Sequence, residues 1–439
     1  MARTLPRRPR GTVHGRLRWY MISFVFAGLV INYLDRASLG VALPFMGETF
    51  KLSKTEEGMI LAAFFWSYDF FQLAAGWFVD KYGPRRTFTF AAVWWSLFTS
   101  LTAVASSFAT LFGVRLLLGV GESPAATTSA KVVGRWFPRH ERTLATGIWD
   151  SGSRVGGVIA LPVVTGLIAW LGWRWTFAVI GVIGLLWAIG WWKNYRDPQD
   201  HPKITEEELE YLREGGARFE GEEDASGLRW RDLFRYRTIW AMMLGFFCLN
   251  MVVYFFLTFF PTYLVEERGF TLLKLGLFGA LPGLVAIAGE WLGGWLADRR
   301  IAKGDSVTRV RKTFIAGGFL VSTVIGIAVW APEAWMALAL LSIAYAGSTF
   351  AASNIWSLPA DVAPADRHVA SIGGIQNFAS NFAGIISPIM VGFLVDKTGS
   401  FTVPLMVISG VALLGAFTYA VVLKSVAPIG LPADADDGR

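Results

Sequence analysis

Two oppositely charged residues lie side by side near the middle of the first long apolar stretch, residues 19–45. As a helix, this stretch is long enough to cross the ~30 Å hydrocarbon core of a bilayer. Charges at that depth are costly, so they usually face a cavity or a partner and mark the path of an ion or solute. The pair is Asp35 and Arg36, and Asn32 and Tyr33 share a helix face with Arg36. The stretch predicts an anion-binding cation, hydrogen-bonding neighbours and an acid that exchanges protons.

A second set of charges lies in the fourth apolar stretch, where Arg115 and Glu122 share one helix face seven residues apart. The helical rise separates them by roughly 10 Å along the axis. A carboxyl group in a low-dielectric cavity takes up a proton more readily than one in water, so Asp35 and Glu122 are candidates for proton exchange. The planar guanidinium of Arg36 suits a carboxylate ligand. The alternatives are a buried structural network for the acids and an ion pair with Asp35 or a carbonyl contact for Arg36.

Composition places these charges in a membrane protein. Of the 439 residues, 54% are hydrophobic and only 17% are charged, and the 20 Trp and 34 Phe suit membrane-facing helices and interfacial belts. The single Cys248 excludes an intrachain disulfide and a Cys-based metal site. Because no nucleophile–base set or His cluster is visible, we expect neither an enzyme nor a cofactor. The net charge of +7 is spread over loops, which argues against nucleic acid as a partner.

Twelve apolar segments predict twelve membrane spans, with the polar segment 194–237 between the sixth and the seventh. Lys and Arg are concentrated in every second loop, which predicts that both termini are cytoplasmic. We therefore expect five regions along the chain: an N-terminal tail 1–18, a six-helix half 19–193, a cytoplasmic linker 194–237, a second six-helix half 238–424 and a C-terminal tail 425–439.

An internal repeat supports the division into halves. Residues 76–86 follow the second segment, and the related residues 293–300 follow the eighth, the equivalent position in the second half. Repeated halves of this kind are typical of transporters with a central cavity. The charged residues of the repeat are candidate gating contacts, and the alternative is that they only set orientation. They are Asp80, Arg85, Arg86 and Asp298.

Seven short motifs resemble the major facilitator superfamily and, within it, the bacterial galactonate and hexuronate symporters of the anion:cation symporter branch. They are NYLDRA at 32–37, FWSY at 65–68, GVR at 113–115, GESPA at 121–125, WFPRHER at 136–142, IWSL at 355–358 and QNFA at 376–379. The segment 76–86 is similar to the superfamily's signature loop between its second and third helices. The resemblance runs from the first segment to the twelfth.

The resemblance implies an all-α fold of twelve transmembrane helices in two six-helix halves, embedded in the bacterial inner membrane. It implies proton-coupled import of an organic anion by alternating access, most simply a sugar acid such as an aldonate or a hexuronate. In similar transporters the residue that matches Arg36 contacts the substrate carboxylate, and those that match Asp35 and Glu122 are protonated. The residue that matches Arg115 acts in coupling. The expected partners are the organic anion, protons and the lipid bilayer, and we expect a monomer.

Four further residues match positions that line the solute cavity in similar transporters: Tyr33, Tyr68, Trp356 and Asn377. Each offers a hydroxyl, amide or indole group to a polyol. The alternative for the aromatic residues is packing or an interfacial belt. The mid-span amide Asn377 is the stronger candidate because it needs a partner.

Some residues depart from the galactonate pattern. Ser153 stands where that group has a cavity amide, and Asp69 and Glu290 are unexpected charges, whereas Asp150 and Arg154 can pair across one helical turn. These departures leave open a different acid, such as a hydroxylated aromatic acid or a dicarboxylate. The sequence also leaves open an exporter of the same fold and a membrane sensor that binds a solute without transporting it.

Overall fold

The computed structural model describes residues 16–138, 141–217, 233–363 and 366–429, and within them the chain is helical with no β-strand. Parts of the predicted tails and linker, residues 1–15, 218–232 and 430–439, lie outside the described residues. The helices of the first half are Arg16–Phe50, Lys54–Leu101, Phe108–Glu122, Ala125–Trp136 and Arg142–Asn194.

Two of these helices are divided by a glycine whose backbone lies in the left-handed region. Gly83 has φ 74° and is followed by Pro84, and Gly172 has φ 76°. A residue with a side chain rarely takes such a φ, so glycine makes these two sharp bends possible. The bends divide Lys54–Leu101 into spans 2 and 3 and Arg142–Asn194 into spans 5 and 6. Span 4 consists of Phe108–Glu122 and Ala125–Trp136, interrupted at Pro124.

The second half contributes six more spans, several of which change helix type along their length. Span 7 consists of Arg237–Thr258, Phe260–Thr262 and the π-helical turn Tyr263–Glu267, and span 8 of Leu272–Phe278 and Leu281–Ala302. Span 9 consists of Val307–Ser322 and Thr323–Trp330, and span 10 of Ala334–Ile355 and Leu358–Val362. Span 11 is Asp366–Thr398, and span 12 consists of Thr402–Phe417 and Thr418–Val422. Among the described residues, nine helical stretches are long and apolar enough to cross a membrane. One of these, Ala145–Asn194, contains both spans 5 and 6. The predicted all-α fold of twelve spans in two halves is confirmed.

The two halves meet along spans 1, 2 and 5 of the first and spans 7, 8 and 11 of the second. We call the face where span 1 begins at Arg16 the termini face, and the face that carries residues 51–53 the opposite face. Glycines bring the backbones together towards the opposite face, where a side chain at Gly58 or Gly392 would collide with backbone of the other half. Such close approach is the usual function of small residues between membrane helices.

Four residues hold the halves together at the opposite face, and we call Lys54, Thr55, Glu266 and Asp396 the opposite-face cluster. The Asp396 carboxylate accepts hydrogen bonds from the backbone amides of Lys54 and Thr55, at 2.8 and 2.7 Å, and from the Thr55 hydroxyl. It therefore caps the start of span 2 from the other half, where unpaired amides and the helix dipole attract an anion. The Lys54 ammonium adds a 2.6 Å ion pair with Glu266.

Asp396→Ala is expected to weaken closure at the opposite face. A capping side chain contributes about 1–2 kcal/mol, which is roughly a 5- to 30-fold change in an equilibrium constant. Spin labels at Lys51 and Lys397, one in each half, would show a longer-distance population in double electron–electron resonance. Glu333→Gln, an exposed acid near the same face, is the matched control. An unchanged distance distribution in Asp396→Ala would remove the cluster from the closing contacts.

Candidate functional site

A cavity of about 340 Å³ lies between the two halves, with walls from spans 1, 2, 4, 5, 7, 8, 10 and 11. The fold brings together in its wall all six residues predicted to bind substrate. They are Tyr33, Arg36, Tyr68, Ser153, Trp356 and Asn377. The first four come from the first half and the last two from the second. A solute in the cavity can therefore touch both halves at once.

Arg36 is held rigidly at this wall. Its side chain is only 6% exposed, and its Nη2 and Nε lie 3.0 and 3.3 Å from one carboxylate oxygen of Glu122. The guanidinium carbon also lies 4.6–4.7 Å from the ring centroids of Tyr33, Phe64 and Tyr68. Aromatic faces attract a cation at this distance. The structure thus pairs Arg36 with Glu122 and not with its neighbour Asp35.

Glu122 occupies the end of the first helical segment of span 4. It is fully buried, and its Oε1 has no hydrogen-bond partner within the described segments, while Oε2 receives Arg36. Gly121 allows the turn to press against span 3, because a side chain there would collide with Trp94. Pro124, which lacks an amide hydrogen, follows at the interruption of the helix. Behind the cavity wall, the carboxyl group therefore has one oxygen without a hydrogen-bond partner in the described part of the chain.

Arg115 lies on the same span as Glu122, and its side chain contacts the backbone of span 1. Its Nη2 donates to the Arg36 carbonyl oxygen at 3.4 Å, and its guanidinium carbon lies 5.2 Å from the Phe64 ring centroid. It lies on the same continuous helix as Glu122, Phe108–Glu122. Arg115 places positive charge behind the ion pair without contacting the cavity.

Asp35 takes no part in the hydrogen bonds of this group, although it lies close enough to interact electrostatically with Glu122 and Arg115. Its side chain is 1% exposed, does not line the cavity, and neither carboxylate oxygen has a hydrogen-bond partner within the described segments. The structure therefore brings Arg36 and Glu122 together and leaves Asp35 on another face of span 1. Asp69 in span 2 is similar, since it is buried and neither of its oxygens has a partner among the described residues.

Sequence reasoning missed a set of amides on the second half. Asn381 donates to Gln72 across the halves at 3.3 Å and accepts from the Tyr254 hydroxyl at 3.1 Å, while Asn250 donates to Ser380 at 3.0 Å. All except Ser380 line the cavity. The signal was present, because an amide in an apolar span needs a partner wherever it occurs, and not only at position 377.

A second charged group in the cavity wall involves Arg154 of span 5. Its Nη1 lies 2.8 Å from Asp150 of the same helix, and its Nε and Nη2 both contact Glu290 of span 8 in the other half. The expected turn-spaced pair is present, and Glu290 joins it. The Ser153 hydroxyl donates to the Asp150 carbonyl oxygen at 2.6 Å.

Two aromatic residues that line the cavity, Tyr68 and Trp356, differ in exposure. Tyr68 is buried, with its ring stacked on Phe64 at a centroid distance of 5.4 Å. Trp356 is 48% exposed and packs edge-on against Phe246 at 5.0 Å. Both residues line the cavity, and Trp356 has by far the larger exposed surface.

The residues predicted to act in gating lie near the termini face. Asp80 forms a 2.5 Å ion pair with Lys131 of span 4, and Arg85 donates to the Trp192 carbonyl oxygen at 2.7 Å and covers its ring at 4.0 Å. Both contacts are within the first half. Arg86 and Asp298 are exposed at the ends of their helices. Their roles in gating remain predictions.

No group of three or more His, Cys, Asp or Glu side chains that could hold a metal ion occurs in the described part of the chain. The site is built from cations, acids, amides and aromatic rings.

Comparison with solved structures shows which fold this is. The crystal structure of a bacterial homologue of the human lysosomal transporter Spinster, in an inward-facing and occupied conformation, superposes with a TM-score of 0.78. The superposition covers 94% of this chain and 98% of that chain at 18% sequence identity, which supports a common fold.

Curated relatives match over nearly the whole chain. A D-galactonate transporter of Escherichia coli is 37% identical over 424 residues, 95% of this chain and 98% of the relative. A probable galactarate/D-glucarate transporter of Bacillus subtilis is 31% identical, covering 96% and 95%. A probable sulfoacetate transporter of Cupriavidus necator is 34% identical, covering 88% of each chain.

The family model of the Major Facilitator Superfamily matches residues 25–388, which include the ion pair, the cavity and both copies of the repeated loop. The chain is therefore a membrane transporter that belongs to the major facilitator superfamily.

Proposed function

We propose that this transporter imports a sugar acid, such as an aldonate or a hexuronate, together with protons by alternating access. The observation that carries the proposal is the Arg36–Glu122 ion pair in the wall of a polar, aromatic cavity. The relatives named for D-galactonate and for galactarate and D-glucarate support a sugar acid as the substrate.

The substrate carboxylate and Glu122 compete for the same guanidinium. While Glu122 is ionised, it neutralises Arg36 and a second anion gains little from binding. A proton on Glu122 weakens the ion pair and frees the guanidinium for two hydrogen bonds to the substrate. The three rings around Arg36 keep its planar group in place during this exchange. Binding of the proton and binding of the anion are then coupled, because protonation of Glu122 frees Arg36 and an anion on Arg36 favours the protonated form of Glu122.

The hydroxyl groups of the substrate are assigned to the second half. The amides of Asn250, Asn377 and Asn381 offer donors and acceptors, and the exposed ring of Trp356 covers the carbon chain. With the carboxylate on span 1 and the hydroxyls on spans 7, 10 and 11, the bound solute joins the halves. Binding across both halves is what alternating access requires of a substrate.

Asp35 is proposed as a second proton site. A carboxylate buried without a partner costs several kcal/mol, so a proton is strongly favoured there when the site is closed to water. We assign to Arg115 the coupling of the two acids, because its guanidinium contacts the backbone carbonyl of Arg36 and it lies on the same helix as Glu122. Two protons with one monovalent acid would move one net positive charge inwards.

Orientation follows from the positions of Lys and Arg. We place the termini face in the cytoplasm of a bacterial cell, with the chain in the inner membrane, because the basic loops lie on that face. The closed opposite-face cluster then seals the cavity from the outside. Substrate would leave towards the termini face in this state.

Arg36→Ala is expected to lower the affinity for D-galactonate about a hundredfold or more, because a desolvated charge pair with the carboxylate is lost. Arg36→Lys should recover little, since an ammonium lacks the planar fork. Affinity is measured by titration calorimetry on purified protein, with a monodisperse elution profile as the test of folding. Arg300→Ala, a surface arginine paired with Asp305, is the control. Wild-type affinity in Arg36→Ala would exclude this residue from the site.

Uptake of a monovalent acid is expected to respond to membrane potential. Two protons per anion add about 2.3 kcal/mol of driving force per 100 mV, roughly fifty-fold in accumulation. The measurement is uptake into proteoliposomes with a valinomycin-imposed potassium potential and no pH gradient. Asp35→Asn should abolish the response to an interior-negative potential, whereas the exposed linker variant Asp200→Asn should retain it. Uptake indifferent to potential in the wild type would mean one proton per anion.

A further inference from the structure

A second guanidinium faces the cavity and has no role in the mechanism proposed above. The side chain of Arg154 is 28% exposed, compared with 6% for Arg36, and it lines the cavity together with Asp150 and Glu290. A cation in a cavity wall is costly unless it is paired, and a partly buried ion pair is weak evidence for a purely stabilising role. Its position suggests a contact with the solute.

The contacts of Arg154 show what kind of ligand it can take. Asp150, one turn earlier on the same helix, occupies Nη1 at 2.8 Å and fixes the orientation of the side chain. The edge formed by Nε and Nη2 is occupied by both oxygens of Glu290. This edge therefore already holds a carboxylate in the two-bond arrangement that a guanidinium prefers. The present occupant belongs to the other half of the protein.

Arg154 and Arg36 line the same cavity, and Tyr33 packs between span 1 and the turn of span 5 that follows Arg154. The Tyr33 ring lies 4.6 Å from the Arg36 guanidinium carbon, and its Cβ packs against Gly156, where a side chain would come within 2.9 Å. Tyr345 of span 10 lines the same cavity, close enough to Glu290, Arg154 and Tyr33 for electrostatic interaction. One cavity thus contains two arginines, each held by an acid.

We propose that Arg154 forms a second carboxylate subsite, so that the preferred substrate is an acid with an anionic group at each end. This rests on the proposed function, in which Arg36 binds the first carboxylate. The second carboxylate takes the Nε–Nη2 edge from Glu290, and Asp150 keeps the guanidinium oriented during the exchange. The released Glu290 stays in the cavity wall, which Tyr345 also lines. Since the Arg154–Glu290 ion pair joins the halves, its exchange for substrate also removes a contact that opposes their movement.

Galactonate and galactarate provide a matched pair of probes, because they share their hydroxyl configuration and differ only at the sixth carbon, a CH₂OH group or a carboxylate. Titration calorimetry on the purified full chain is expected to show galactarate binding at least tenfold more tightly than galactonate. Arg154→Gln should reduce galactarate affinity at least tenfold and change galactonate affinity less than threefold. Glu290→Gln, which frees the binding edge, should increase galactarate affinity.

The double variant Arg154→Gln/Glu290→Gln removes both charges together and serves if the single Arg154 variant does not fold. It should show the same loss of preference for galactarate. Arg174→Gln, a cation of the same half whose guanidinium donates to backbone outside the cavity, is the control and should behave like the wild type. A galactarate-to-galactonate affinity ratio that is equal in the wild type and the Arg154 variants would overturn the subsite and leave the proposed function standing. If the wild type binds neither acid, both the proposed function and the subsite are wrong.

Discussion

The burial of the Arg36 guanidinium constrains how spans 1, 2 and 4 pack against one another. Arg36 stands in the middle of a membrane span, where a charge without compensation is costly. One oxygen of Glu122 and three aromatic faces compensate the Arg36 charge. A second arginine, Arg115, donates a hydrogen bond to the backbone carbonyl of Arg36. These contacts require spans 1, 2 and 4 to meet at one level. Gly119 makes the close approach of spans 2 and 4 possible, because a side chain there would collide with the Phe64 carbonyl oxygen.

The Arg36–Glu122 pair is accessible from the cavity through Arg36, and one Glu122 oxygen has no hydrogen-bond partner among the described residues. In the proposed mechanism a proton and an external carboxylate replace this pair, which leaves no buried charge unpaired. The second half contributes polar amides and the Glu290 carboxylate that reaches across to Arg154. Arg154 and Glu290 therefore take part both in the wall of the cavity and in the contact between the halves.

Much of this arrangement follows from helical spacing in the sequence. The cavity positions of Arg36 and Tyr33 follow from one helix face, and Glu122 belongs to the same span as Arg115 at the expected separation. What spacing cannot give is a partner on another helix. The choice of Glu122 over the adjacent Asp35 for Arg36 depends on how spans 1 and 4 pack, 86 residues apart in sequence. The Asp396 cap on span 2 and the Arg154–Glu290 contact, separated by 342 and 136 residues, depend on how the halves dock.

The central claim is that substrate replaces Glu122 on Arg36 as Glu122 takes up a proton. The most direct test is the number of protons bound with the substrate, measured by calorimetric titration of D-galactonate in buffers of different ionisation enthalpy. The wild type should take up about one proton per substrate near neutral pH, because Glu122 is neutralised on binding, whereas the buried Asp35 already carries its proton before the substrate binds. Glu122→Gln should bind with no proton uptake, and the exposed control Glu333→Gln should match the wild type. Equal proton uptake by the wild type and Glu122→Gln, or none by the wild type, would contradict the exchange.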